Sequence, residues 1–166
     1  MFFPTPMTTF TRSIAPPLTP IKICAPRETV EPLLSSPWKI ERVAPMMMLP
    51  GLRYETPAPA EGYSLAVTGV GTVFLAMAVS RDGDVVASGR IALVDDVAVF
   101  DQIQTQEAHR RLRLGSAVMR ALQSAAAARG ARIGMLVATE AGQALYTSLG
   151  WRVYAPYVTA IVPQSA

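Results

Sequence analysis

From Thr72 onward, hydrophobic and polar positions follow the periods of strands and helices. Three apolar segments separated by short polar turns predict three antiparallel strands: 72–79, 85–94 and 97–104. An apolar stripe at helical spacing then predicts a helix and consists of Leu114, Val118, Ala121, Leu122 and Ala125. Gly130 follows at a position that commonly ends a helix, so the first helix is expected to stop there.

The remaining C-terminal residues continue this alternation of elements. The uninterrupted apolar segment 133–138 predicts a strand that is buried on both faces. Residues 140–149 predict a second helix, and a final pair of strands is expected around Pro156, at 151–154 and 158–162. The order β-β-β-α-β-α-β-β indicates an α/β (α+β) fold with a mixed, mostly antiparallel sheet flanked by helices. A parallel strand pair is expected across the first helix.

The N-terminal third has a different composition. Of the 14 prolines, 12 lie at or before Pro59. Because proline fixes φ and removes a hydrogen-bond donor, residues 1–26 are predicted to be a disordered extension without regular structure. Residues 27–166 are predicted to form a single domain, in which 63–162 are the core and 27–62 are ambiguous.

The composition argues against several classes of protein and kinds of site. The net charge of +3 is too small to indicate nucleic-acid binding. No segment reaches the roughly 20 uninterrupted apolar residues of a membrane span, so no membrane partner is expected. The single cysteine, Cys24, and the single histidine, His109, exclude an intrachain disulfide and a metal site built from Cys and His. This cysteine usage fits a reducing compartment, so we expect a cytoplasmic protein.

The charge is distributed unevenly. Six arginines and no acidic residue lie between His109 and Gly134, which predicts one electropositive patch. The segment 109–117 connects a predicted strand to a predicted helix, whose first amides have no intrahelical partner. With Gly115 allowing close approach of the backbone, such a loop can hold a phosphate or pyrophosphate. The alternative for a basic loop is an ordinary solvated surface.

Two motifs in this context resemble those of the Gcn5-related N-acetyltransferase (GNAT) family. The segment Arg110-Arg-Leu-Arg-Leu-Gly115 resembles the family's coenzyme A loop, Arg/Gln-x-x-Gly-x-Gly/Ala, with Arg113 in place of the first glycine. The segment Ala-Leu-Tyr-Thr-Ser-Leu-Gly-Trp, at 144–151, resembles the family's tyrosine-containing helix. Thr139 takes the position seven residues before the tyrosine where many members carry asparagine. The resemblance covers roughly 63–162.

The resemblance implies direct transfer of an acetyl group from acetyl-CoA to an amine in a ternary complex, without a metal. The loop amides would hold the pyrophosphate, and the strand before the loop would pair with the pantetheine arm toward Thr105. A backbone N–H near Gln102 or Ile103 would donate to the thioester oxygen. The implied coenzyme-binding residues are Ile103, Gln104, Thr105, Arg110, Arg111, Leu112, Arg113, Leu114, Gly115, Ser116, Ala117 and Thr139.

Two residues are candidates for proton transfer. The resemblance implies that the Tyr146 hydroxyl protonates the departing thiolate; the alternative is a helix aromatic packed against Trp151. Asp101 shares a predicted strand face with Ile103 and Thr105, and burial on that face would suit it to accept a proton. Its alternative role is a hydrogen-bonded structural acid. His109 is expected to anchor the loop.

Two other functional classes stay open. The first is a non-catalytic acyl-CoA-binding or regulatory module on the same fold. The second is nucleic-acid binding by the arginine-rich segment, which we rank last because aromatic residues do not alternate with the arginines. The expected partners are acetyl-CoA and an unidentified amine, with a homodimer left open because members of the family often dimerise.

Overall fold

The structure is a computed structural model that describes residues 20–163. Its eight strands are β1 (Ile21–Ile23), β2 (Lys39–Pro50), β3 (Tyr63–Val70), β4 (Val73–Ser80), β5 (Val85–Val94), β6 (Val97–Thr105), β7 (Ile133–Val137) and β8 (Arg152–Ile161). The α-helices are α1 (Arg27–Val30), α2 (Leu114–Ala127) and α3 (Glu140–Ser148), and short 3-10 turns lie at Glu31–Leu33 and Glu107–His109. The strands pair in the order β1-β8-β2-β7-β6-β5-β4-β3. The predicted class, a mixed and mostly antiparallel α+β fold, is confirmed.

The chain divides into two compact units, and β2, β7, α3 and β8 contribute residues to both. Within the described residues, the first unit contains 20–46, 137–143 and 153–163, and the second contains 47–136 and 144–152.

The second unit is built on a four-stranded antiparallel meander, β3 to β6. Each strand pairs with the next along the chain, and β6 then pairs in parallel with β7 through the α2 crossover. The predicted parallel pair is therefore confirmed. The apolar stripe of α2 packs against β4 and β5, and Leu114, Val118 and Leu122 are fully buried there. This packing fixes the N-terminus of α2 at the end of β6.

The first unit corrects the prediction for the N-terminal segment. Residues 1–19 lie outside the described part, but β1 pairs antiparallel with residues 158–160 of β8. Ala25 and Val30 pack with Val158 in a small apolar cluster. The prediction that 1–26 lack regular structure is therefore wrong for residues 21–23, because a neighbouring strand supplies the hydrogen bonds that the local sequence does not signal.

The predicted element order is also corrected. The antiparallel meander that precedes α2 has four strands, not three, because β3 forms its outer strand. A single strand, β8, replaces the predicted final pair. Pro156 is tolerated within β8 because it lies outside the ladder with β1, so its missing N–H breaks no pairing there. The ambiguous segment 27–62 contains the twelve-residue strand β2.

Candidate functional site

The N-terminus of α2 presents free backbone amides. Its first helical hydrogen bond runs from the Ala117 N–H to the Arg113 carbonyl, at 3.0 Å. The three preceding amides, of Leu114, Gly115 and Ser116, have no hydrogen-bond partner within residues 20–163. The prediction that Ala117 contributes a free amide is therefore wrong, because helix formation uses that donor. The other three can hold an anion.

A cavity of about 240 Å³ lies at these amides. It is lined by Thr105 from the end of β6, by Leu145 from α3, and by the loop and first helical turn, namely His109, Arg110, Arg111, Arg113, Leu114, Gly115 and Ser116. Most of the residues predicted from the loop therefore come together. Leu112 does not line the cavity; its side chain is exposed.

Gly115 keeps this cavity open. A Cβ placed on Gly115 would lie 3.4 Å from both the Leu145 side chain and the Thr105 hydroxyl oxygen. The backbone of Gly115 is not left-handed, so the residue is not required for a turn. Its role is to provide space, and any side chain longer than a methyl group would enter the cavity.

Three of the six arginines in the predicted electropositive patch contact other side chains of the chain. Arg120 forms an ion pair with Glu55 at 2.6 Å, the guanidinium of Arg129 lies 3.7 Å from the centre of the Phe74 ring, and Arg132 contacts Asp96 at 3.4 Å. The other three, Arg110, Arg111 and Arg113, line the cavity. The charge available to a ligand is therefore concentrated at the start of α2.

The loop carries arginine at two left-handed positions. Arg111 has φ 64° and Arg113 has φ 60°, in the region where glycine avoids the Cβ clash that other residues meet. The structure thus gives Arg113 the backbone conformation that suits the glycine of the family motif. The replacement leaves the path of the loop intact and adds a side chain.

We expect Arg113→Gly to raise the free energy of unfolding by about 1 kcal/mol, because glycine removes the left-handed strain at little cost to the loop. The measurement is a chemical denaturation midpoint. Arg110→Gly is the matched control, since Arg110 has φ −69° and gains nothing from the change. Equal or lower stability of Arg113→Gly would contradict the argument from strain.

A bulge interrupts β6 close to the cavity. Asp101 pairs with Arg90 and Gln104 pairs with Ser88, so Gln102 and Ile103 both lie opposite Gly89. Gln102 has φ 53°, which marks the bulge in the backbone. One extra residue reverses the alternation of faces beyond it. Asp101 therefore does not share a face with Ile103 and Thr105, and this prediction is wrong.

The bulge depends on the lack of a side chain at Gly89. A Cβ at that position would come within 2.4 Å of the Ile103 side chain and 3.0 Å of Leu122. We expect Gly89→Ala to lower the free energy of unfolding by about 1–3 kcal/mol through overpacking, as measured by chemical denaturation. Gly115→Ala is the control, because its nearest neighbours lie at 3.4 Å. Equal stability of the two variants would show that the bulge tolerates a side chain.

Asp101 is exposed, so the predicted burial of its carboxylate is also wrong. Both of its oxygens accept hydrogen bonds from the Arg90 guanidinium on the neighbouring strand, one of them at 2.8 Å. The carboxylate raises the pKa of Arg90, chiefly through these hydrogen bonds. This geometry matches the structural alternative for Asp101, a paired acid that braces β5 against β6.

The strands β6 and β7 separate near the cavity. Their ladder consists of three pairs and ends at Val99 and Met135, whereas β6 continues to Thr105. Residues 100–105 therefore lie past the last pair and leave an edge of β6 on which an extended ligand can pair like a strand.

Two aromatic rings pack together at the point where β6 and β7 begin to separate. The Phe100 and Trp151 rings meet edge-on with centroids 5.1 Å apart, beside Gly134. A Cβ on Gly134 would lie 2.7 Å from Trp151, so the glycine makes room for the indole.

Tyr146 is a buried aromatic residue on α3 with a hydroxyl group that can donate a proton. Its side chain is 8% exposed and its ring lies 6.3 Å from that of Trp151. Burial raises the pKa of Tyr146 above its ordinary value of 10.0. The hydroxyl therefore keeps its proton at neutral pH and can donate it. The packing against Trp151 agrees with the structural alternative and is compatible with the catalytic one.

Two predicted residues have local roles. The Thr139 hydroxyl accepts a hydrogen bond from the Gly142 N–H at 3.1 Å, which caps the first turn of α3. The Gln104 side chain donates to the Ser88 hydroxyl at 3.1 Å and lines a separate cavity of about 330 Å³ between the ends of β5 and β6. Neither side chain lines the cavity at α2.

The sequence did not indicate the support that holds the loop. The Tyr63 hydroxyl and His109 Nδ1 lie 2.9 Å apart and share a hydrogen bond, and their rings meet edge-on. This contact joins the loop to the first strand of the meander and fits the expected anchoring role of His109. A contact between residues 46 positions apart has no local sequence signal.

The helices in residues 20–163 are too short or too polar to cross a membrane. In the same part of the chain, no cluster of three or more His, Cys, Asp or Glu residues could hold a metal ion.

Several solved structures have a similar fold. The GCN5-related N-acetyltransferase from Kribbella flavida has a TM-score of 0.65 at 18% identity, covering 77% of this chain and 61% of that chain. The GCN5-related N-acetyltransferase from Sphaerobacter thermophilus has a TM-score of 0.69 at 15% identity, covering 95% of this chain and 65% of that chain. A tandem GNAT protein from the clavulanic acid biosynthesis pathway has a TM-score of 0.60 at 15% identity, covering 75% and 55%. At these identities the likeness shows the fold alone.

The chain spans 61% to 65% of the length of the first two of these structures. No curated protein matches it in sequence. The sequence model described as the acetyltransferase (GNAT) family matches residues 48–151, which is more than half of the chain. The match includes both the loop that begins α2 and the tyrosine helix. The chain therefore belongs to the GNAT acetyltransferase family.

Proposed function

We propose that this chain transfers an acetyl group from acetyl-CoA to an amine, with both substrates bound at once. The observation that carries the proposal is the continuity of two features at Thr105. This residue ends the unpaired edge of β6 and also lines the cavity at the start of α2. An extended arm joined to a pyrophosphate matches that combination of a strand edge and an anion site.

Different residues of this chain would bind different parts of acetyl-CoA. The amides of Leu114, Gly115 and Ser116 would hold the pyrophosphate, and the guanidinium groups at the cavity would add charge. The edge of β6 past Val99 would pair with the pantetheine arm. Backbone N–H groups at the bulge, near Gln102 and Ile103, would face the charge that develops on the thioester oxygen. Acetyl-CoA supplies the activated acetyl group.

Tyr146 is the proposed proton donor. Its raised pKa keeps the hydroxyl protonated, as a general acid requires. It lies on α3, one residue from Leu145, which lines the cavity. Asp101 is a weaker candidate for accepting the amine's proton than Tyr146 is for donating one, because the Asp101 carboxylate is paired with Arg90.

The test is amine-dependent release of free thiol from acetyl-CoA. The panel would contain polyamines, aminoglycosides, peptides with free N-termini and lysine peptides. We expect at least one class to give turnover that depends on both substrates. A folded protein that binds acetyl-CoA and acetylates no member of this panel would instead support the non-catalytic acyl-CoA-binding alternative.

A further inference from the structure

We propose that the acceptor amine binds in the cavity of about 330 Å³ between the ends of β5 and β6, and that it carries hydroxyl or amide groups and no second charge. An amino sugar or an amino alcohol has this chemistry. The inference rests on the proposed function and names the class of acceptor that the site would take. Transfer of the acetyl group forms an amide and releases coenzyme A, so the amine loses one proton and the departing sulfur gains one.

The first argument is the face of the sheet on which the acceptor would lie. A side chain at Gly89 would point at Val118 and Leu122 of α2. The neighbouring Ser88 therefore projects from the opposite face, and so does Gln104, which donates a hydrogen bond to the Ser88 hydroxyl at 3.1 Å. The part of the cavity that these two polar side chains line is thus on the face away from α2. The proposed pyrophosphate site lies at the N-terminus of α2.

The second argument is the distance along β6 to the proposed point of reaction. Thr105 lines this cavity and also the cavity at α2, so both adjoin the same end of the strand. The bulge at Gln102 and Ile103, which would bind the thioester oxygen, directly precedes Gln104. An acceptor held at Gln104 would therefore reach the bulge without entering the cavity at α2. Two substrates could then be bound at once, as direct transfer requires.

The third argument is the chemistry of the lining. In the described part of the chain, the lining residues are uncharged: Val85, Val86, Ala87, Ser88, Gln104, Thr105 and Gln106. Hydroxyl and carboxamide groups both donate and accept hydrogen bonds, so they match the same groups on a ligand. Arg90 and Asp101, which follow on the same face, already form an ion pair with each other. A second ammonium or a carboxylate on the acceptor would lose water there without gaining a partner of opposite charge.

The fourth argument is size. A cavity of about 330 Å³ lies at the small end of the range of roughly 300–1,000 Å³ that is typical of ligand sites. This volume suits one sugar ring or a short amino alcohol. A peptide would extend beyond it, so the cavity favours a small molecule as acceptor.

The experiment compares glucosamine, cyclohexylamine, putrescine and glutamate as acceptors, by thiol release from acetyl-CoA. Glucosamine and cyclohexylamine each have one amine on a six-membered ring, and glucosamine adds hydroxyl groups. We expect kcat/KM for glucosamine to exceed that for each of the other three by at least about tenfold, the effect of two neutral hydrogen bonds. Calorimetric titration of the coenzyme A complex with each amine gives the same comparison without turnover.

The variant Gln104→Leu tests the lining itself. It removes one carboxamide from an exposed position, and circular dichroism confirms that it is folded. We expect the ratio of kcat/KM for glucosamine to that for cyclohexylamine to fall by about fivefold, the effect of one neutral hydrogen bond. A ratio measured on one protein cancels any change in the handling of acetyl-CoA. The control is Gln143→Leu, the same exchange on α3 at a residue that does not line the cavity, and it should keep the wild-type ratio.

Four results would overturn the inference while leaving the proposed function intact. They are acetylation of cyclohexylamine, putrescine or glutamate at least as efficient as that of glucosamine, an unchanged ratio in Gln104→Leu, an equal fall in Gln143→Leu, and turnover restricted to peptide amines. A folded protein that binds acetyl-CoA and acetylates no amine would overturn the proposed function and this inference together.

Discussion

Tyr146→Phe is expected to lower kcat by about 100-fold while leaving the affinity for acetyl-CoA nearly unchanged. The substitution removes the only group proposed to protonate the departing thiolate, and loss of a general acid costs on the order of 10²–10⁴ in rate. The phenyl ring keeps the packing against Trp151, so the fold should persist. The measurements are steady-state thiol release for kcat and calorimetric titration for affinity.

Tyr154→Phe is the matched control, because that hydroxyl belongs to an exposed residue. Its kcat should equal that of wild type. Since burial raises the pKa of Tyr146 above its ordinary value, wild-type turnover should not decline through loss of this proton near neutral pH. Unchanged kcat in Tyr146→Phe would assign the residue to packing and remove it from the mechanism.

Gly115→Glu is expected to weaken acetyl-CoA binding by at least about 100-fold. The new side chain would enter the cavity between Leu145 and Thr105, and its carboxylate would face the pyrophosphate. Like charges brought together at a binding site cost several kcal/mol, and about 2.8 kcal/mol corresponds to 100-fold. Calorimetry measures the affinity, and circular dichroism confirms that the variant is folded.

The control for this substitution is Gly115→Ala, which adds a methyl group with neighbours at 3.4 Å. It should retain binding within a few-fold of wild type. If Gly115→Glu bound acetyl-CoA as tightly as Gly115→Ala, the pyrophosphate would not occupy this cavity. The proposed coenzyme site would then have to be placed elsewhere on the chain.

The elements that could be predicted from the sequence are those with a strong local period. The strands β4, β5 and β6 and the helices α2 and α3 have clear alternation or an apolar stripe, and the predicted bounds of each agree with the structure within a few residues. The outer strand β3 was not predicted, although its first residues, Tyr-Ser-Leu-Ala-Val-Thr, alternate between larger apolar and smaller or polar side chains. The alternation ends at Gly69, and most residues of the strand are exposed.

Long-range pairing explains what else could not be predicted. β2 contains Pro45 and reads as irregular, yet its twelve residues form one strand because neighbouring strands supply the pairing. The error in the predicted strand face of Asp101 has a similar origin. The bulge at Gln102 is a consequence of pairing with Gly89, so counting by twos along β6 fails at that residue.

The candidate site was predictable where a motif and backbone geometry determine it. The loop, Gly115 and the free amides of α2 follow from the position of a basic segment between a strand and a helix. The support from Tyr63 and the partner of Asp101 come from residues far along the chain and could not be predicted. The left-handed conformation of Arg113 also required the structure.

Titration of the folded protein with acetyl-CoA tests the central claim most directly. The free amides, the open cavity at Gly115 and the edge of β6 together predict one binding site per chain. Its dissociation constant should be on the order of micromolar, in the range typical of enzyme substrates. Absence of binding at millimolar acetyl-CoA would contradict the account. The chain would then resemble known acetyltransferases in fold alone.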